Sequence, residues 1–438
     1  MMNNGGAMTI WDPRNETMPR EDLDQLQLER LQATLKRVHR SVSFYRGRLG
    51  DQGFDPGDFR SLDDLRRLPF TTRAELAEHH PYGLFAVPLR EVVRLHAASP
   101  ANGGRQVVVG HTTRDIRTWG ELAARVLTAG GVTRDDVVQI AFDYGIYPDG
   151  FGFHYGAERI GASVIPTSAA RMAHQLEIMR DYRSTVLIAP PSVARSLADH
   201  LVTEDIEPKT LFLRVGVFSA EFWGEPLRAD LESRLGIRAA DAYAVGEVMG
   251  PGVAGECAAR AGLHLQEDHF LAEIVDPVSG AALLPGATGE LVLTTLTREA
   301  FPLIRYRTGD LTSLDTTTCS CGRTLARIAR VTGRTDDMIS LRGVHFFPAQ
   351  LAAILTSLEG APSRFVLALQ REAGQDLLEI RVEVSEGIFF DGMRRQQLMI
   401  EEVARRVQEE LGLVARVKLV DPRLTAPGDP AIRVVDER

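Results

Sequence analysis

Lysine is nearly missing from this chain. Of its 50 lysine and arginine residues, only Lys36, Lys209 and Lys418 are lysine. A catalytic lysine therefore has few places to be, and none beyond Lys418. Cysteine is equally scarce: Cys257, Cys319 and Cys321 are the three in 438 residues. So few exclude a disulfide framework and fit a reducing compartment. Positive charge is in deficit, with a formal net charge of −9, so neither nucleic acid nor an anionic membrane is an expected partner. No apolar run approaches the roughly 20 residues of a membrane-spanning helix. The opening "MMNNGGAMTIWDPRNETMPR" lacks a signal-peptide core. These absences predict a cytoplasmic enzyme-sized protein.

What is present is a globular composition, 44% hydrophobic, long enough for two or more domains. Residues 20–50 carry apolar positions at helical spacing. "FTTRAEL" at 70–76 offers Thr71 or Thr72 as a helix N-cap with Glu75 following, a capping-box pattern. From about 106 to 240, short apolar runs (VVVG, VVQIAF, ASVIP, TVLIAP, LRVGVFS) alternate with helical stretches. That alternation predicts an α/β fold with a largely parallel sheet. From 270 the pattern changes to hairpins around Gly/Pro turns. "GRTDDMISLRG" at 333–343 reads as a polar linker. Beyond it, a helix at 348–358, strands FVLALQ and LLEIRVEV, a helix at about 393–411 and strand ARVKLV predict a small α+β domain.

Five motifs in order are more specific: "AYAVGEVMGPGVAGEC" (242–257), "GLHLQEDHF" (262–270), "TTLTREAFPLIRYRTGDLT" (294–312), "CSCGRT" (319–324) and "GRTDDMISLRGVHFFP" (333–348). Together they resemble phenylacetate–CoA ligases of the adenylate-forming superfamily, and the resemblance covers essentially the whole chain. It implies a large N-terminal AMP-binding-like domain with a β-rich part (1–334) and a C-terminal lid domain (335–438), with a homodimer as the assembly. Such enzymes join a carboxylate to ATP as an acyl-adenylate, then pass the acyl group to CoA. By this resemblance Asp310 holds the ribose hydroxyls, a task that suits a carboxylate because it accepts two hydrogen bonds. Arg334 lies beside the ribose and Asp336 is the hinge. Glu247 coordinates Mg²⁺, a hard cation that prefers oxygen, and Tyr243 lies near the adenine.

The resemblance fails at two places. The family's phosphate loop reads like Ser-Ser-Gly-Thr-Thr-Gly-Lys-Pro, whereas this chain has "ASPANGGR" at 98–105. Pro100 removes a backbone N–H and fixes φ, and Ala101 lacks a hydroxyl. Gly103, Gly104 and Arg105 remain as a remnant able to hold an anion. Near the C-terminus the family has Gly-Lys-Ala-x-Arg-Val, whose lysine neutralises the reacting oxyanions. Here Pro430 stands at that lysine and Asp429 beside it. Loss of one such preorganised charge typically costs about 10²–10³ in rate. Both breaks strike the adenylation step, so ATP and Mg²⁺ are doubtful cofactors on this reading.

The acyl-pocket segment "DYGIYPDGFGFHYGAERIG" (143–161) adds polar groups where the family has "GYGLFTGGLGLHYGAERLG". Asp143, Tyr147 and His154 are the candidate proton-moving groups, with Glu247. Tyr144, Phe151, Ser219, Glu221, Tyr243 and Gly246 are candidate substrate contacts. His174 is a further titratable candidate, and Asp149 in "YPDG" reads as a turn residue. Cys257, His264, Cys319 and Cys321 make a Cys₃His set suited to structural Zn²⁺. The C-x-C spacing alone leaves buried reduced thiols equally open, and the resemblance favours zinc.

The expectation from these readings is a divergent family member in specialised metabolism. It would run an ATP-independent condensation, acyl transfer or dehydrative cyclisation with C–N bond formation. Its partner would be an aryl or acyl substrate, free or bound to CoA or a carrier. The alternatives are an ATP-dependent aryl-acid CoA ligase, with Gly103 to Arg105 on the phosphates and Arg433 in place of the lysine, and a non-catalytic pseudoenzyme that docks on a carrier protein or synthetase.

Overall fold

The computed structural model describes residues 9–98, 106–168, 171–358, 364–372, 375–383, 393–420 and 432–437. The predicted α/β alternation forms a nine-stranded sheet. Its parallel half runs Ser163–Pro166, Val137–Ile140, Val186–Ala189, Val215–Phe218 and Arg238–Val245. Val186–Ala189 and Val215–Phe218 are buried along their whole length. This explains their unbroken apolar sequence: helices cover both faces of a parallel sheet. The sheet continues antiparallel through Gly250–Glu256, Leu263–Leu265, Arg327–Ile328 and Leu314–Asp315.

A second, four-stranded antiparallel sheet holds Phe270–Val275, Gly289–Thr295, Tyr306–Thr312 and Gly333–Arg334. A hairpin of Val92–Ala98 and Val107–Thr112 flanks residues 99–105. Those residues, Gly103 and Arg105 among them, lie outside the described residues, as do Asp429 and Pro430.

The helical pattern of 20–50 is two helices, Arg20–Ser41 and Ser43–Asp51, because Val42 is extended (φ −119°, ψ 109°). Thr72, not Thr71, caps Arg73–Glu78. Its hydroxyl accepts from the Glu75 N–H, and the Glu75 carboxylate accepts from the Thr72 N–H. "YPDG" opens the helix Asp149–Ile160 instead of making a turn.

The stretch 333–343 is less of a linker than its polarity suggests. Gly333–Arg334 is a strand, and Ile339–Leu341 pairs with Val344–Phe346 across a tight turn. Both turn residues, Arg342 and Gly343, have positive φ, as a type I′ hairpin requires. The C-terminal sheet has the order Ala415–Val420, Gln375–Glu383, Phe365–Glu372, Ile432–Asp436. Helices Pro348–Thr356 and Met393–Leu411 accompany it, around a core that includes Leu351, Leu367, Ile380 and Val407. The last strand, parallel to Phe365–Glu372, carries no strong pattern in "AIRVVDER". Among the described residues no helix is long and apolar enough to cross a membrane.

Candidate active site

Parallel α/β sheets bind ligands beyond the carboxyl ends of their strands, and this sheet follows the rule. A cleft with about 1040 Å³ of empty space, partly open to solvent, lies there. Ala220 to Trp223 reach it just after Val215–Phe218, and Asp241 to Glu247 where Arg238–Val245 ends. The second sheet and the 339–346 hairpin supply the facing wall.

One end of the cleft is built around Asp310. Asp310 and Arg334 are direct partners on neighbouring antiparallel strands. One Asp310 oxygen accepts from the Arg334 guanidinium, and the other accepts from the Tyr243 hydroxyl at 2.5 Å. Arg334 also donates to the Thr308 carbonyl and to Asp336, both at 2.8 Å. The chain bends at Gly309 (φ +82°) beneath this guanidinium, and a Cβ there would meet the Arg334 nitrogen at 2.5 Å. Glycine is therefore favoured by the backbone conformation, and a side chain there would also press on the Arg334 guanidinium. Burial pushes Asp310 above its usual carboxylate range against the pull of Arg334. Burial, then the Asp310 charge, pushes the Tyr243 phenol up, so it stays a donor. Asp336 is also raised by burial, but its pairing with Arg334 outweighs that and holds it low.

Glu247 is buried one residue beyond Gly246 and lies 3.0 Å from the Arg73 guanidinium. Arg73 donates to the Tyr306 hydroxyl at 3.3 Å and lies 3.9 Å from Asp336. Sequence reasoning missed Arg73, whose place in "FTTRAEL" signals only a helix start. It also missed Asp241, a cleft carboxylate that burial pushes up to about 6 against its contacts with Trp223 and Arg330.

Of the predicted residues, Tyr147, Glu221, Tyr243, Gly246, Glu247, Asp310 and Arg334 line the cleft, and Asp336 borders it through Arg334. Asp143, Tyr144, Phe151, His154 and Ser219 do not line it. Asp143 is exposed. His154 shares its ring nitrogens between the Tyr144 hydroxyl (3.2 Å) and Glu158, one helical turn on (3.1 Å). Phe151 packs against His96 and Tyr144, and Ser219 is buried. His174 is exposed beside Glu177. Tyr147 accepts from the Gln106 amide at 3.2 Å. Glu221 spends both oxygens on protein donors: the Ser192 N–H (2.8 Å), the Ser192 hydroxyl (2.7 Å) and the Gly343 N–H of the hairpin (2.8 Å).

Away from the cleft, Cys257, His264, Cys319 and Cys321 are all buried, with their ligand atoms within 4.8 Å of one another. The Cys257 and Cys319 sulfurs are 3.8 Å apart, and the Cys321 sulfur is 3.4 Å from the His264 Nε2. A tetrahedron with Zn–S bonds of about 2.3 Å has edges of about 3.8 Å, so the donor set fits that ion. The other ring nitrogen, Nδ1, faces the Leu325 carbonyl at 3.4 Å, the outer contact that fixes a ligating histidine.

Residues 343–438 match the family described as the AMP-binding enzyme C-terminal domain. The phenylacetate–coenzyme A ligase of Thermus thermophilus is 39% identical over 98% of this chain and 100% of its own length. That of Pseudomonas putida is 41% identical over 94% and 92%. Among solved structures, 2-hydroxyisobutyryl-CoA ligase with 2-HIB-AMP and CoA in its thioesterification state superposes with a TM-score of 0.90. It is 30% identical over 97% of this chain and 92% of its own. The same ligase in its postadenylation state, with 2-HIB-AMP, gives 0.72.

These relatives overturn the expectation of ATP-independent chemistry in specialised metabolism. Full-length likeness to coenzyme A ligases at this identity favours the alternative, ATP-dependent ligation. Two physical reasons weaken the argument from the altered motifs. A phosphate loop works largely through backbone N–H groups, and of residues 98–105 only Pro100 lacks one. Arg73 also gives the cleft a positive charge that does not depend on a C-terminal lysine. The doubly held Asp310, the cleft beyond the sheet and the full-length likeness agree: this chain is an enzyme of the phenylacetate–coenzyme A ligase family.

Proposed function

We propose that this enzyme joins a small aryl or acyl carboxylic acid to CoA at the expense of ATP. The observation that carries the reading is the Asp310–Arg334–Tyr243 arrangement. It presents a carboxylate of fixed orientation, with lone pairs left for two hydroxyl groups. In the first half-reaction a carboxylate oxygen of the acid attacks the α-phosphorus of ATP, and pyrophosphate leaves. In the second the CoA thiolate attacks the acyl carbon, and AMP leaves. Asp310 and Arg334 hold the ribose, and Tyr243 orients Asp310. Glu247 is the oxygen donor suited to Mg²⁺, an ion that screens phosphate charge when bound. Arg73 adds a fixed positive charge to the same cleft. Superposition on the thioesterification state of a ligase supports a lid that takes a second position for the first half-reaction.

The test supplies ATP, Mg²⁺, CoA and a panel of aryl and short-chain acids, and measures AMP, pyrophosphate and thioester. Stoichiometric AMP and acyl-CoA are expected. Thioester formation without ATP consumption, or no turnover together with no ATP binding by calorimetry, would overturn the reading.

We also infer a structural zinc ion in the Cys₃His cluster. It would tie the end of Gly250–Glu256, the strand that follows Glu247, to the 319–321 loop. Metal analysis of the purified protein should find about one zinc per chain, and serine at Cys319 should remove it. A metal-free protein of unchanged stability would sink the assignment.

A further inference from the structure

Five carboxylates line the cleft: Asp149, Glu221, Asp241, Glu247 and Asp310. Four of them are matched by the protein. Glu221 is held by Ser192 and Gly343, Asp241 by Arg330, Glu247 by Arg73, and Asp310 by Arg334 and Tyr243. Asp149 is different. Apart from its own backbone N–H, it has no hydrogen-bond or ion-pair partner among the described residues. Pro148 and Tyr147 precede it, and Ala97, Ala98 and Gly246 line the same cleft. Pro148 is close to Gly246, since a Cβ on that glycine would be 3.7 Å from the proline ring and 3.6 Å from Ala98. Asp149 therefore belongs to the Gly246 side of the cleft. Burial pushes it up to about 6.

A carboxylate partly shielded from water, as Asp149 is, is unfavourable unless something donates to it. Asp149 is the first residue of Asp149–Ile160, and an acidic side chain there does favour the helix. Helix stability accounts for an acid at that position facing water. It does not account for one that lines a cleft with no donor but its own backbone N–H. The missing donor is then expected on the ligand.

We propose that Asp149 selects the acyl substrate, and that this substrate is a carboxylic acid bearing a hydrogen-bond donor, an amine or a hydroxyl, at the end away from its carboxylate. This rests on the ligase reading above and narrows it. Amino and hydroxyl groups share the chemistry that matters, an N–H or O–H aimed at Asp149, and the experiment separates them. A site that bonds a substrate hydroxyl or amine discriminates far more strongly than one that only senses shape, because the unmatched analogue leaves a buried polar group unpaired.

The experiment compares phenylacetate, 4-hydroxyphenylacetate, 4-aminophenylacetate and 4-aminobutyrate with wild type, Asp149→Asn and Asp149→Leu. Two readouts are taken: kcat/KM for AMP release, and binding of each acid by calorimetry. Wild type should favour its best donor-bearing acid over phenylacetate by about 10²-fold or more. Asp149→Leu should collapse that ratio toward one. Asp149→Asn should keep part of the preference if the donor is a hydroxyl and lose it if the donor is a charged ammonium. A wild-type ratio near one, or a ratio that Asp149→Leu leaves unchanged, would overturn the proposal while leaving the ligase reading intact. If no acid releases AMP, the ligase reading fails. The binding ratio then still decides the role of Asp149, by the same criterion.

Discussion

The two ends of the cleft follow opposite rules. At the Asp310 end the charges answer one another within the protein. Arg334 meets Asp310 and Asp336, Arg73 meets Glu247, and Tyr243 donates to Asp310. On the Gly246 side, Asp149 has no partner among the described residues apart from its own backbone N–H. The first arrangement is preorganised, suited to a ligand part that does not vary. The second leaves an open place of defined polarity, where family members can differ in substrate. On the proposed reading, the closed network serves the chemistry common to the family and the unmatched carboxylate serves the particular substrate.

The sharpest way to break this contrast is at Asp310. On the proposed reading, alanine there removes the acceptor for two ribose hydroxyls. With about 1.5–3 kcal/mol for each hydrogen bond to a charged group, kcat/KM for ATP should fall by about 10³-fold. Affinity for the acyl acid should change much less. ATP–pyrophosphate exchange measures the first, and calorimetry with the acid the second. Equal losses in both would mean that the two ends are not separable.

Glu221 tests where the cleft meets the C-terminal domain that begins near Gly343. Its carboxylate accepts from the Gly343 N–H at 2.8 Å, and that contact belongs to the conformation resembling a thioesterification state. Glutamine would turn one acceptor into a donor facing other donors. The thioester-forming half should slow by about tenfold, from the roughly 1–3 kcal/mol of an unsatisfied buried group. Adenylation, measured alone by pyrophosphate exchange, should be nearly unaffected. Equal slowing of both halves would make Glu221 a general structural residue and not a contact specific to the second half-reaction.

How much of this is legible in the sequence follows from how far each interaction reaches along the chain. The parallel sheet is readable because its buried strands are continuous apolar runs. The Thr72 cap is readable because its partner is three residues away. The Asp310–Arg334 pair spans 24 residues and has no local signature, so only the family motifs point to it. Arg73 meets Glu247 from a helix start far away in sequence, and nothing around "FTTRAEL" signals that. His154 and Asp143 are attractive for their chemistry alone, but helical geometry turns His154 toward Glu158. Pro-Asp-Gly misleads because a turn and a helix start use the same residues. The altered loop at 99–105 lies outside the described residues, and full-length likeness to coenzyme A ligases outweighs its changed residues.

The smallest expected effect is on stability, and it tests whether Asp149 is kept despite the fold. Burial raises its carboxyl to about 6 from an ordinary value of 3.8. A group raised in this way favours folding when protonated. Its contribution is full below about pH 4, declines as pH rises through 6, and is lost above that. Asparagine, neutral at every pH, should therefore stabilise the protein relative to wild type at pH 8, by about 1–2 kcal/mol after allowance for the solvent that reaches the cleft. The difference should shrink toward zero near pH 4. Denaturant unfolding at pH 4.5, 6 and 8 measures it. If the substitution destabilises at pH 8, the acid serves the helix start, and the Gly246 end is as internally satisfied as the Asp310 end. If it stabilises while the preference for donor-bearing acids is lost, a residue unfavourable to the fold has been retained for its ligand, and the contrast between the two ends holds.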